Sequence, residues 1–106
     1  MPSRREKIES MLSEDPADIF LRYSLAMELE KEGEHDASLS KLEELITETP
    51  PYVPAFFMAG QQFARLSRMD EAKAVLRRGI DQAREQGDDH AAGEMSEFLA
   101  SLGALG

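Results

Sequence analysis

The sequence predicts an all-α chain of about six antiparallel helices, stacked as a helical-repeat solenoid. Three observations predict it. The stretch from Ala55 to Ile80 carries two amphipathic patterns separated by the polar turn Ser67-Arg68-Met69-Asp70. Phe56, Ala59, Gly60 and Phe63 stand at i, i+3, i+4 and i+7, and Ala72, Val75, Leu76, Gly79 and Ile80 repeat the spacing, which places each set on one helix face. The size pattern then returns at an offset of 34 residues: Leu25, Ala26 and Leu29 stand under Ala59, Gly60 and Phe63, and Ser38, Leu42, Leu45 and Ile46 under Ala72, Leu76, Gly79 and Ile80. Another 34 residues back, Ile8, Met11 and Leu12 stand under Leu42, Leu45 and Ile46. A helix-turn-helix at a fixed period of this kind marks a stacked repeat array.

The elements follow in order. The chain has 106 residues, enough for one domain with a core if its helices stack. Ser3 with Glu6 forms a capping-box pattern opening a first helix over 3–13, with Ile8, Met11 and Leu12 as its apolar stripe. By register it covers one end of the stack. Asp15-Pro16 supplies an N-cap acid and a proline at N1 for the next helix, which runs to about Glu32 and stops at Gly33. That helix is apolar on more than one side, so it is either sandwiched or presents a face to a partner.

Asp36 to Glu48 is the third helix. Prolines 50, 51 and 54 then hold the chain out of αR, and helix is expected to resume after Pro54. Pro51-Tyr52-Val53-Pro54 fits a PxxP pattern, but it reads as a repeat connector because a PPII ligand needs an accessible extended segment. Two further helices end near Gln86, with Ser67 as the start signal of the second and Gly87 as its stop. Asp88-Asp89 opens the last helix, expected over 88–102, and Gly103-Ala104-Leu105-Gly106 is expected to fray.

The slots filled by these residues resemble the tetratricopeptide repeat. The second unit supplies Phe56, Ala59-Gly60, Phe63, Ala72, Leu76 and Gly79, with Arg84 where the family has proline. The first supplies Leu25-Ala26, Leu29, Gly33, Ser38, Leu42, Leu45 and Pro50, with Arg22 where an aromatic is usual. The resemblance implies a single domain over 1–106: an N-terminal capping helix at 3–13, repeats at 19–52 and 53–86, and a C-terminal capping helix at 88–102.

Composition narrows the function classes. No cysteine is present, which removes disulfides and thiolate chemistry. No apolar run approaches a membrane span, and no h-region follows Met1-Pro2-Ser3-Arg4-Arg5, so a cytoplasmic location is expected. The net charge of −9 disfavours nucleic acid and anionic membranes as partners. Within that balance, residues 63–84 are locally basic, whereas 85–106 carry five acids and no Lys or Arg. No phosphate loop or nucleophile motif occurs. His90 and Glu94 share a helix face, but acids suited to the helix dipole explain them better than a metal site. No enzyme activity, cofactor or metal is therefore expected.

The resemblance implies binding on a concave groove lined by the first helix of each repeat. Carried over by register, the groove positions are Phe20, Tyr23, Met27, Glu30 and Lys31 in the first unit and Phe57, Gln61, Ala64 and Arg65 in the second, with Met95 and Phe98 completing the end. The carboxylate-clamp subset of the family uses Lys and Asn here. This chain has no asparagine and puts Tyr23 and Met27 in the key places. An aromatic and methionine-rich surface suits an apolar peptide or amphipathic helix from another protein. The alternative is a homo-oligomer in which a second copy covers the groove or the last helix.

Overall fold

The computed structural model describes residues 1–105, with side chains for 1–103. Among the described residues six helices follow one another: α1 Arg4–Glu14, α2 Ile19–Lys31, α3 His35–Ile46, α4 Val53–Arg65, α5 Met69–Glu85 and α6 Asp89–Leu105. They gather into two compact units, Met1–Pro50 and Pro51–Gly106. The Thr49-Pro50 peptide bond is cis.

In the first unit α2 packs against both α1 and α3. Ser3 caps α1 reciprocally with Glu6, as the sequence pattern requires. Ile8 and Leu12 of α1 meet Leu25 and Leu29 of α2. At the α2–α3 contact both Ala26 and Ser38 are fully buried, and the Ser38 hydroxyl donates to the Ala26 carbonyl at 2.6 Å. A small side chain at each position permits that approach, and the hydrogen bond satisfies the one polar group it buries.

In the second unit α5 packs against α4 and α6, and α4 also touches α6. Phe56, Leu76 and Met95 are its largest fully buried apolar side chains. Gly60 faces Leu76, while Gly79 faces Phe56 and Met95.

One turn geometry joins α2 to α3, α4 to α5 and α5 to α6. The amide three residues past the last residue of each helix reaches back to a carbonyl of its final turn: Glu34 to Leu29 (2.9 Å), Arg68 to Phe63 (2.8 Å) and Asp88 to Ala83 (2.7 Å). This Schellman closure requires a left-handed residue at its centre. Gly33 (φ 81°) and Gly87 (φ 77°) occupy it as expected, and Ser67 (φ 61°) occupies the third.

Several boundaries differ from the sequence expectation: α1 and α3 shift by one or two residues, α3 closing at Ile46 rather than Glu48, and others differ as follows. Asp18, not Asp15, caps α2, its carboxylate accepting from the Leu21 amide at 2.8 Å. Asp15 is used instead as the C-cap of α1, its amide bonded to Met11. Helix α4 starts at Val53, with Pro54 inside the first turn, where a missing N–H costs nothing. Ser67 ends α4 rather than starting α5, whose N-cap is Arg68 with no side-chain capping bond. Helix α6 continues through Leu105 instead of fraying after Leu102, and Gly106 lies outside the described residues.

The two departures from the repeat pattern have local consequences. Arg22 is half-buried and donates to Glu48 at 2.6 Å, an ion pair standing where Phe56 buries its ring one period later. Where Pro50 follows α3, Arg84 lets α5 run on to Glu85, five residues beyond Ile80, the register equivalent of Ile46.

Candidate functional site

The register-derived positions fall on α2 and α4, plus α6. On α2, Phe20, Tyr23, Met27 and Lys31 recur every three or four residues and so form one stripe. Phe20 is 67% exposed, an unusual state for a phenylalanine. Tyr23 and Met27 are half-buried. Glu30 is also half-buried, and Lys31 is exposed with its ammonium 3.5 Å from Glu28. Glu28 itself is buried and held by Arg4 at 2.7 Å.

On α4, Phe57, Gln61 and Ala64 are half-buried and Arg65 is exposed at the helix end. The Phe57 ring lies 5.8 Å from that of Phe98 on α6, tilted by 49°. This tilted aromatic contact fixes both rings while each keeps part of its surface outside the core. Met95 does not share that surface. It is fully buried with its sulfur directed at Gly79, so it belongs to the core of the second unit and offers nothing to a partner.

The structure thus brings Phe20, Tyr23, Met27 and Lys31 together on one helix, and Phe57, Gln61, Ala64, Arg65 and Phe98 together on the α4–α6 pair. Glu94 was legible in the sequence only as a metal-ligand candidate. It stands one turn before Phe98 on α6, which puts the two residues on one helix face. His90 is 87% exposed, with Nε2 3.2 Å from Glu94 Oε1. Among the described residues no three His, Cys, Asp or Glu side chains converge as a metal site. An open hollow is lined by Glu6, Lys7, Ser10 and Met11 of α1 and by Pro2, which precedes it. Among the described residues no helix is long and apolar enough to cross a membrane.

Around the site, Arg68 pairs with both oxygens of Glu71 at 2.7 Å and lies over the Phe63 ring at 4.8 Å. The bidentate guanidinium holds the Glu71 carboxyl below its ordinary value by hydrogen bonding, with partial desolvation opposing it. The Phe57–Phe98 contact thus leaves a partly exposed aromatic surface on the α4–α6 pair.

Comparison with solved structures finds a tetratricopeptide repeat domain protein from Salinibacter ruber. Its solution structure shares 33% identity and a TM-score of 0.81, covering 86% of this chain and 92% of that one. Its crystal structure shares 32% identity and a TM-score of 0.75, covering 84% and 99%. The solution structure of a protein from Bordetella parapertussis shares the fold at 24% identity and a TM-score of 0.83, over 98% of this chain and 90% of that one. No family model matches the sequence, and no curated protein matches it.

Proposed function

The chain belongs to the tetratricopeptide repeat family, and on that footing we propose that it is a non-enzymatic protein–protein interaction module. Each unit by itself presents an aromatic surface, α2 in the first and the α4–α6 pair in the second, suited to an apolar peptide or amphipathic helix of another protein. The observation that carries this reading is the partial exposure of Phe20, Tyr23, Phe57 and Phe98. The chain's own helices leave these rings incompletely covered, and aromatic side chains at such positions supply large contact area at low entropic cost.

Display selection of helical peptides on the wild-type protein tests the reading. A selected peptide should lose about tenfold or more in affinity for Tyr23→Glu or for Phe57→Glu, according to the unit whose surface holds it, in variants whose helicity is unchanged. Peptides that bind both variants as tightly as wild type would overturn it. Light scattering across a concentration series separates it from the homo-oligomer alternative, which requires a concentration-dependent mass.

A further inference from the structure

We infer that the segment held on the α4–α6 face is basic, with a Lys or Arg seated beside Glu94 and an apolar anchor on the Phe57–Phe98 pair. The inference rests on the interaction reading above and adds the partner's charge and its polarity on the face.

Three observations carry it. First, residues 85–106 hold Glu85, Asp88, Asp89, Glu94 and Glu97 without a single Lys or Arg, inside a chain of net charge −9. A cationic segment is drawn to such a field from a distance, while a second copy of this chain is repelled. Second, Glu94 stands one helical turn from Phe98, about 6 Å along the axis. Its side chain is 51% exposed, and its one ion-pair partner among the described residues is the exposed His90. An apolar anchor and a carboxylate at that spacing match the turn-to-turn spacing of an amphipathic helix with a cation next to its apolar stripe.

Third, the charges on this face have a direction. Three-residue links join α4 to α5 and α5 to α6, which makes consecutive helices antiparallel, so α4 and α6 run the same way. Glu94 precedes Phe98, whereas Arg65 follows Phe57 by two turns. The carboxylate and the guanidinium therefore lie on opposite sides of the aromatic pair. A cation is accommodated at the Glu94 side and opposed at the Arg65 side, so a bound helix has one preferred polarity.

The test uses three synthetic peptides of about four turns: an amphipathic Leu/Lys helix, its Leu/Glu counterpart and a scrambled Leu/Lys sequence without an apolar face. Binding is measured by calorimetry at about 50 and 300 mM salt. The amphipathic Leu/Lys peptide should bind and the other two should bind about tenfold more weakly or not at all. Glu94→Lys should weaken that binding about fivefold, whereas Asp81→Lys, which changes net charge equally at an exposed position of α5 outside that acidic stretch, should change it less than about twofold. Phe98→Ala should weaken it comparably. Because Glu94 is exposed, its variant keeps the test valid even if Phe98→Ala fails to fold.

Equal losses for Glu94→Lys and Asp81→Lys would overturn the inference, as would concentration-dependent self-association in place of peptide binding. Binding of the Leu/Glu peptide that disappears in Phe98→Ala would overturn the basic partner and leave the interaction reading standing. Failure of every amphipathic peptide to bind would overturn both.

Discussion

Gly79 lies so close to Phe56 that a β-carbon added to it would stand 2.5 Å from Phe56 Cβ and 2.6 Å from Met95 Sδ. The contact joins α5 to both α4 and α6, and it fixes how closely the three helices of the second unit can pack. Gly93 on α6 is the contrasting case, with nothing within 4 Å of the same position.

The pair yields a prediction with opposite signs. In a helix interior, alanine ordinarily gains about 0.5–1 kcal/mol over glycine. Gly93→Ala should show that gain in urea unfolding. Gly79→Ala should instead cost about 1–3 kcal/mol, because the Phe56 neighbour is a β-carbon tied to backbone and cannot swing away.

Ser67 is the one non-glycine residue with positive φ among the described residues. A side chain in the left-handed region meets its own carbonyl, a strain that glycine avoids. Ser67→Gly should therefore stabilise the protein by about 0.5–1 kcal/mol, read as a raised midpoint at unchanged m-value. A neutral or negative effect would mean that the Ser67 side chain stabilises the turn in another way.

The Arg68–Glu71 pair predicts a small acid-dependent loss. Hydrogen bonding to Arg68 lowers the carboxyl's folded-state pKa, so the carboxylate contributes stability above its unfolded value. That contribution disappears as pH falls through the folded value, in a window from about pH 5 downward. Comparing wild type with Glu71→Gln at pH 7 and pH 3 checks it: the difference between them should shrink at low pH. Both side chains are partly exposed, so the effect should also weaken with added salt.

The buried hydroxyl of Ser38 predicts a modest cost for its removal. Ser38→Ala deletes the 2.6 Å bond to the Ala26 carbonyl without leaving a buried donor behind. The expected loss is about 1 kcal/mol by thermal or urea unfolding. Ser38→Leu should cost considerably more, since Ser38 and Ala26 have no exposed surface into which a larger side chain could expand.

These contacts also show what the sequence could reveal. The 34-residue return of small and large side chains locates Ala26, Ser38, Ala59, Gly60 and Ala72 because close helix approach demands small residues there; all five are buried. Gly33 and Gly87 mark helix ends because a left-handed turn favours glycine. Ser67 hides the same turn behind a residue type that usually begins helices, which is why α5 was expected to start from it.

Asp15-Pro16 and Asp18 both satisfy cap rules, and only the extension of α1 to Glu14, which takes Asp15 for its own C-cap, decides between them. Met95 and Phe98 are both apolar residues of α6, and spacing does not say which one turns inward. Met95 fills the space left by the missing side chain of Gly79, while Phe98 pairs with Phe57 at the surface. The candidate positions were therefore legible as a set, and the burial of each depended on packing that spacing does not encode.

The most direct test of the central claim is an amide-resolved NMR titration of the protein with a helical peptide obtained by display selection. The account predicts saturable shift changes on one of the two aromatic surfaces, either on α2 around Phe20, Tyr23 and Met27 or on α4 and α6 around Phe57 and Phe98. Shifts confined to the α5 cations Lys73, Arg77 and Arg84, or to α1 and α3, would contradict it.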